Sequence, residues 1–553
     1  MIPTMGAASD GPRKQELLMK KRPHIIIFNP DEMRWDTMGH MGNPAASTPA
    51  LDAFAREEAV SFSNAYCQNP VCVPSRCSFF TGLYPHVRGH RTMGYLLRQD
   101  EPSLLKELKD AGYYVWANAR NDLVAAQMDG LMESHVTELY YGGNAAPAPG
   151  PCSAHPRGKP GDPQFYAFCN GELRTDAEGR NYTGDDEDVD AAIQRILHPI
   201  DDRPLCLFLG LLYPHPAYNI ERTYLERIDL GKLPMRIEPD KTWGKSRMLA
   251  MLRRYQDLDG MSREQWDELR AIYLAMCAKV DDQFRRLCEA LKQAGIYDDS
   301  AIFFLSDHGD YAGDYGVVEK AQNCFEDKLT RVPLLIKPPK GAGADPGVSD
   351  SLVELVDFYA TVLDYAGVRS SHSQFGRSLA GIVADRSRQV RDMVFCEGGR
   401  LAEEKHCSES VDPAVRDGFC FSVMWPRYAA QFDDAAHAKG VMARDREWKY
   451  IYRAHGDCEL YHLSEDPEER RNCVQEECLA PVCEAMKARI LQWYQDTCDV
   501  VPFERDARFS KKMIWEKVKN QIPEGMEDAI HAKIDAGEGL FQVQEACRQA
   551  AKL

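Results

Sequence analysis

Short apolar runs, unbroken by polar residues and too brief to be helices, constrain this chain more than any other feature. They stand at residues 24–28 (HIIIF), 113–116, 205–212, 301–305, 332–336 and 393–395. Runs of this kind suit strands buried on both faces. Helical patterns lie between them. The clearest opens with a capping box at Ser262 and Gln265. It continues through Leu269, Ile272, Tyr273, Met276, Val280, Phe284, Leu287 and Leu291 and stops at Gly295. Residues 104–111 and 353–365 also read as helices. Strands alternating with helices predict a mostly parallel sheet covered on both sides, with any site at the carboxyl ends of its strands. The pattern changes near residue 400. Residues 419–425, 440–444 and 449–452 read as short antiparallel strands, and 481–494 as a helix. Beyond about 500 only 526–534 shows periodicity. The expected organisation is a flexible N-terminus over 1–22, an α/β domain over 23–400, and a smaller α+β domain with a helical tail over 401–553.

Charge and segment lengths exclude some roles. The formal charge of −18 makes the surface repel phosphate backbones, so no nucleic-acid partner is expected. No apolar run approaches the roughly 18 residues of a membrane span, and no membrane association is expected. The polar N-terminus ends in Lys20-Lys21-Arg22, and the run after it is too short for a signal-peptide core. A cytoplasmic location follows as an expectation. The 18 cysteines are scattered and read as free, mostly buried thiols. Cys67, Cys72 and Cys77 form an evenly spaced trio that matches no standard zinc pattern; a thiol-held cluster there predicts stoichiometric zinc or iron. Residues 142–163, rich in Gly, Pro and Ala, read equally as a lid or a solvated loop.

Two stretches carry chemistry. In Cys72-Val73-Pro74-Ser75-Arg76, Pro74 suits a first helical turn. Cys72 then stands at a helix N-terminus, where developing negative charge is favoured, and Arg76 lies about one turn on and can point back at it. The same residues also read as a buried thiol beside a structural arginine. Asp307 and His308, in Ser306-Asp307-His308-Gly309-Asp310, end a strand, as do Asp31 and Glu32. An Asp-His pair alone is often structural, but together with Asp31 it offers metal ligands. Carboxylate-rich ligation favours Ca²⁺ or Mg²⁺, and the imidazole admits Mn²⁺. Ca²⁺ is the first expectation and Mn²⁺ the next. His215, between Pro214 and Pro216, is held in a rigid extended segment.

Cys72-x-Pro74-Ser75-Arg76, continued by Thr81-Gly82 and flanked by Thr48-Pro49-Ala50-Leu51-Asp52, resembles the signature of the type I sulfatases of the alkaline phosphatase superfamily. Glu459-Leu460-Tyr461-His462-Leu463 with Asp466-Pro467-Glu468-Glu469 resembles that family's small C-terminal sheet. The resemblance spans residues 23–494. It implies a three-layer α/β sandwich with a large, mostly parallel mixed sheet plus a smaller antiparallel one.

It also implies that a formylglycine-generating maturation enzyme oxidises Cys72 to formylglycine, reading Pro74 and Arg76. The hydrated aldehyde presents two hydroxyls on one carbon. One attacks sulfur and expels the alcohol; the other collapses the hemiacetal and expels sulfate. A metal lowers the pKa of the attacking hydroxyl. By the same resemblance, Asp31, the residue at 72, Asp307 and His308 hold that metal. Many members carry two adjacent Asp residues where this chain has Asp31-Glu32, which places Glu32 behind the ligands.

Lys320, in Gly316-Val317-Val318-Glu319-Lys320, takes the family's sulfate-binding position. The resemblance implies that His215, where sulfatases carry a histidine, contacts the sulfate and donates a proton to the leaving oxygen. The family's Gly-Lys-x-His becomes Ala119-Arg120-Asn121-Asp122 here. Arg120 keeps the cation, and Asp122 replaces a histidine in the substrate pocket. His86 and His90 follow the nucleophile helix and read either as pocket residues or as structural ones, with His90 carried forward as a substrate-binding candidate. Residues 86–98, 120–170 and 400–440 feed the pocket for the alcohol half.

The expected reaction is hydrolysis of a small-molecule sulfate monoester to an alcohol or phenol. Phosphonate monoesters or phosphodiesters are the alternative substrates, and an inactive sulfatase-fold binding protein is the third reading. The long tail suggests packing on another subunit and hence a homo-oligomer.

Overall fold

The apolar runs become strands because each offers both its faces to a core. A computed structural model describes residues 22–143, 162–409, 423–503 and 506–551. Its first ten strands are β1 (His24–Asp31), β2 (Val60–Tyr66), β3 (Tyr114–Asn118), β4 (Glu138–Tyr140), β5 (Cys169–Glu172), β6 (Leu205–Pro214), β7 (Tyr218–Ile220), β8 (Ser300–Leu305), β9 (Leu334–Lys337) and β10 (Gly347–Glu354). Eight of them form one sheet in the order β10-β2-β9-β8-β1-β6-β3-β4, while β5 and β7 pair separately. Only β9 runs against its neighbours in the large sheet, β2 and β8.

Side chains of β1 divide by parity between two apolar clusters. Ile25 and Ile27 pack with Phe62, Phe208 and Phe303, while Ile26 and Phe28 join Phe284 and Phe304. This is why HIIIF is unbroken: a strand with apolar layers on both faces has no solvent-facing parity. Helices α1 (Pro49–Glu57), α2 (Cys72–Thr81), α3 (Gly184–Leu197), α4 (Arg263–Gln293) and α5 (Val356–Ala366) cover the sheet. Residues of α2 and α5 enter the first cluster, and those of α1, α3 and α4 the second. The result is a three-layer α/β sandwich of the alkaline-phosphatase type.

The capping box at Ser262 and Gln265 opens α4, and Gly295 follows its end with φ +71°. The helix expected from residue 353 starts later, because β10 continues to Glu354.

A second sheet, antiparallel in the order β11 (Val394–Gly398), β12 (Gly440–Arg444), β13 (Trp448–Arg453), β14 (Glu459–His462), follows. The division expected at residue 400 therefore cuts through this sheet. Of the strand expected over 419–425, residues 419–422 lie outside the described residues. Trp425 itself opens a short helix, α6 (Trp425–Ala430), and α7 (Ala480–Thr497) comes later. The expected lid or loop at 142–163 and the N-terminus over 1–22 lie almost wholly outside the described residues.

Contacts divide the chain into one unit ending at Val500 and another beginning at Val501. The second unit contains α8 (Lys511–Val518), α9 (Glu527–Asp535) and α10 (Leu540–Ala550), which share a core of Ile514, Val518, Ile530, Ile534, Leu540, Val543 and Cys547. No disulfide joins the described cysteines. Among the described residues, no helix is long and apolar enough to cross a membrane.

Candidate active site

Asp31 closes β1, Asp307 and His308 follow β8, and Cys72 is the first residue of α2. Pro74 lies in the first turn of α2 as expected. Thr81 and Gly82 end the helix: the Thr81 hydroxyl donates to Cys77 O at 2.7 Å, and Gly82 takes φ +69°. A Cβ at Gly82 would stand 2.8 Å from the Tyr359 ring, so both backbone and space call for glycine.

These elements bring four donor atoms together. One ligand atom each from Asp31, Cys72, Asp307 and His308 lies within 4.8 Å of the others, and all four residues are buried. Cys72 Sγ is 3.2 Å from His308 Nε2 and 3.5 Å from Asp31 Oδ1. His308 Nδ1 faces Gly309 O at 2.9 Å, so the ring donates there and keeps a lone pair on Nε2. Gly309 sits against the backbone of Lys328, where a Cβ would meet Lys328 O at 2.0 Å. Two carboxylates, an imidazole lone pair and a fourth donor converging from three elements fit a divalent cation.

Cations already press on this cluster. Arg76 is fully buried; its Nε donates to Asp307 Oδ2 at 2.9 Å and its Nη2 to Asp31 Oδ2 at 3.0 Å. It does not turn back to Cys72, because a buried guanidinium needs carboxylate partners. Arg120 Nη2 reaches the same Asp31 oxygen at 2.7 Å. Against the raising effect of burial, Arg120 and Arg76 hold the Asp31 carboxyl well below the usual range. Burial, reinforced by Asp31, pushes the Cys72 thiol well up, so the unmodified side chain is a poor nucleophile. Burial also pushes His308 down, which keeps its imidazole neutral.

Glu32 takes φ +68°, and its N–H donates to Asp307 Oδ1 at 3.2 Å. Its Oε2 lies 2.7 Å from Lys320 Nζ and 3.6 Å from His215 Nε2. A second set of ligand atoms, from Asp31, Glu32 and His215, also converges, but the Lys320 ammonium sits beside that carboxylate. Burial raises Glu32 well above the usual carboxylate range, with Lys320 opposing. His215 is pushed well below its ordinary value by burial and then by Lys320.

Asp122 lies near Cys72, Arg76 and Arg120 on a left-handed backbone, φ +46°, after Asn121, whose carbonyl accepts from Arg76 Nη1 at 3.4 Å. His90 is turned elsewhere: its ring nitrogens meet Tyr95 O at 2.8 Å and Glu101 Oε1 at 2.9 Å. His86 is likewise taken up, by Glu397 at 2.7 Å and Thr497 O at 2.9 Å.

Sequence reading missed Tyr218, whose hydroxyl lies 2.8 Å from both oxygens of Asp310. It also missed Glu319 and Arg427, which pair with one another. Asp310 was visible in the motif after β8 and Glu319 in the stretch that carries Lys320; Tyr218 and Arg427 carry no local signal.

Residues 23–368 match the protein family described as Sulfatase. A choline-sulfatase of Rhizobium meliloti (strain 1021) is 26% identical over 523 residues, spanning 90% of this chain and 92% of its own. Arylsulfatase K of Danio rerio is 26% identical over 478 residues, spanning 82% and 80%. Among solved structures, a phosphonate monoester hydrolase of Agrobacterium radiobacter shares the fold with a TM-score of 0.66 at 19% identity, covering 86% of this chain and 96% of that one.

Proposed function

The chain belongs to the sulfatase family, and from that premise we propose that it hydrolyses sulfate monoesters to an alcohol or phenol plus sulfate. The observation that carries this reading is Cys72, buried at the start of α2 and within 3.5 Å of both Asp31 and His308. Formylglycine made from Cys72 would supply the oxygen nucleophile, activated by a divalent cation (Ca²⁺ first, then Mn²⁺ or Mg²⁺) held by Asp31, Asp307, His308 and the residue at 72.

The other residues divide the remaining work. Lys320 and Arg120 attract the transferring group and offset its charge. Arg76 fixes the two carboxylates in place by bonding each of them. His215 protonates the leaving oxygen. Burial keeps it neutral in the free protein, and an anionic substrate beside it raises its proton affinity. Asp122 takes the substrate-pocket role of the histidine it replaces, while His90 is left out because both its ring nitrogens are engaged.

Maturation by a formylglycine-generating enzyme and assembly into a homo-oligomer belong to the same proposal. Light scattering of the purified protein tests the second.

Mass spectrometry of the tryptic peptide from Glu57 to Arg76, from the native host, tests the nucleophile. An aldehyde or its hydrate at residue 72, with Cys67 still a thiol, is the expected result. Unmodified Cys72 in a host that matures other sulfatases would leave the fold as a binding scaffold. One observation favours a second reading, phosphonate monoester hydrolysis: Glu32 stands in place of a second Asp and is engaged by Lys320. Rates on a sulfate and a phosphonate monoester of one phenol separate the two readings.

A further inference from the structure

Lys320 is 1% exposed and has two carboxylate neighbours, Glu32 Oε2 at 2.7 Å and Glu319 Oε1 at 3.2 Å. With two carboxyl groups already taking up its donors, this ammonium is poorly placed to receive an anionic substrate. A third element alters this balance. Arg427, on α6 and 5% exposed, places Nη1 on the same Glu319 Oε1 that faces Lys320. Its Nη2 meets Glu409 Oε2 at 2.7 Å. Glu409 is itself fixed by paired hydrogen bonds with the Gln431 side chain, both 2.8 Å. Glu319 has φ +67°, and its N–H donates to the Tyr218 hydroxyl at 3.2 Å, so its backbone is anchored as well.

We propose that Arg427 is a positioning residue for the reaction. By holding the Glu319 oxygen that it shares with Lys320, it frees the Lys320 ammonium to attract the tetrahedral anion of the substrate. The inference rests on the role given to Lys320 above. Without Arg427, the full charge of Glu319 falls on Lys320, and a buried ammonium that pairs with an unshared carboxylate while donating to the Glu32 carboxyl has little field left for a substrate anion. Arg427 touches no reacting atom; it acts through Glu319.

The test uses the full chain and inorganic sulfate as probe, read by calorimetric titration, alongside kcat/KM on an aryl sulfate. Sulfate binding needs no formylglycine. It therefore decides this inference even if the protein proves to hydrolyse no ester, a result that would remove only the function proposed above. Arg427→Met is expected to weaken sulfate binding about tenfold. The double variant Glu319→Gln/Arg427→Met is expected to recover most of that loss, because the competing charge is gone. An arginine that only stabilised the fold would lower the unfolding midpoint and leave the sulfate affinity of the folded protein unchanged. Wild-type sulfate affinity in Arg427→Met, or a double variant no better than Arg427→Met, overturns the proposal. If Arg427→Met does not fold, Glu319→Gln alone decides: sulfate binding at least as tight as wild type supports the proposal, and weaker binding overturns it.

Discussion

Replacing Arg76 by Met tests whether one guanidinium holds the catalytic carboxylates in place. Arg76 donates to Asp307 at 2.9 Å and to Asp31 at 3.0 Å, and all three side chains are fully buried. Each charge-assisted bond is worth about 1.5–3 kcal/mol. Deleting one member of a buried ion pair costs about 3–5 kcal/mol, because the partner charge stays behind. Arg120 still faces Asp31 at 2.7 Å, so Asp307 is the carboxylate left most exposed to the loss. The expected loss is therefore about 3–5 kcal/mol. The assay is urea unfolding of protein with unmodified Cys72, in chelator, with wild type alongside. A second arm adds saturating Ca²⁺ or Mn²⁺. With Arg76 gone the cluster carries one more negative charge, so the variant binds a dication more tightly than wild type. Every tenfold of tighter binding returns about 1.4 kcal/mol. The gap between variant and wild type should narrow as cation is added. A deficit below about 1 kcal/mol in chelator, or one that cation leaves unchanged, would refute the argument.

Chelation should abolish ester hydrolysis without unfolding the chain, with Ca²⁺ or Mn²⁺ restoring it; full activity in the chelated enzyme would remove the four-residue metal cluster from the mechanism. Gly309→Ala should lower metal affinity and activity together, since the new methyl would stand 2.0 Å from Lys328 O and push the His308 loop away; isothermal titration with Mn²⁺ reads the first effect. Burial holds the fully buried His437 at about 3, below its ordinary value of about 6.5. Its neutral form thus contributes stability in full above pH 6.5, and this is lost as pH falls from there toward 3, at up to about 1.4 kcal/mol per pH unit. His437→Gln should flatten that acid limb, which unfolding midpoints at pH 7 and pH 5 would show.

Most of the large sheet was legible because its central strands are apolar on both parities. β1, β6 and β8 have neighbours on both sides, and their sequences (HIIIF, LCLFLGLLYP, AIFFL) leave no other interpretation. β2 and β10 went unseen for the opposite reason. VSFSNAY and GVSDSLVE mix polar and apolar residues, since these strands lie toward one end of the sheet and Asn64, Asp350 and Val348 are not buried. The α3 helix was missed as well. Its first turn carries Asp185, Asp186 and Glu187, and charge so dense reads as solvated surface. In the fold, Asp185 accepts from Leu212 and Tyr213 N–H groups at 2.8 Å, and Asp186 pairs with Lys279 at 2.9 Å.

The site divides along a similar line, between what one segment determines and what only the assembled fold can. The residue that starts α2 and the pair that follows β8 are placed by local structure, so Cys72, Asp307 and His308 could be named from their own neighbours. Where a long side chain points is a different matter. Arg76 sits one turn from Cys72, and on the helix surface alone it would reach back. Inside the fold its charge must be met, and the carboxylates that meet it come from β1 and from the loop after β8. The same holds for Lys320, whose setting depends on Glu32 at the end of β1 and on Arg427 far along the chain. Local pattern selects the chemical groups. Long-range pairing of buried charge decides which of them face one another, and that is the step at which motif reading needs a structure.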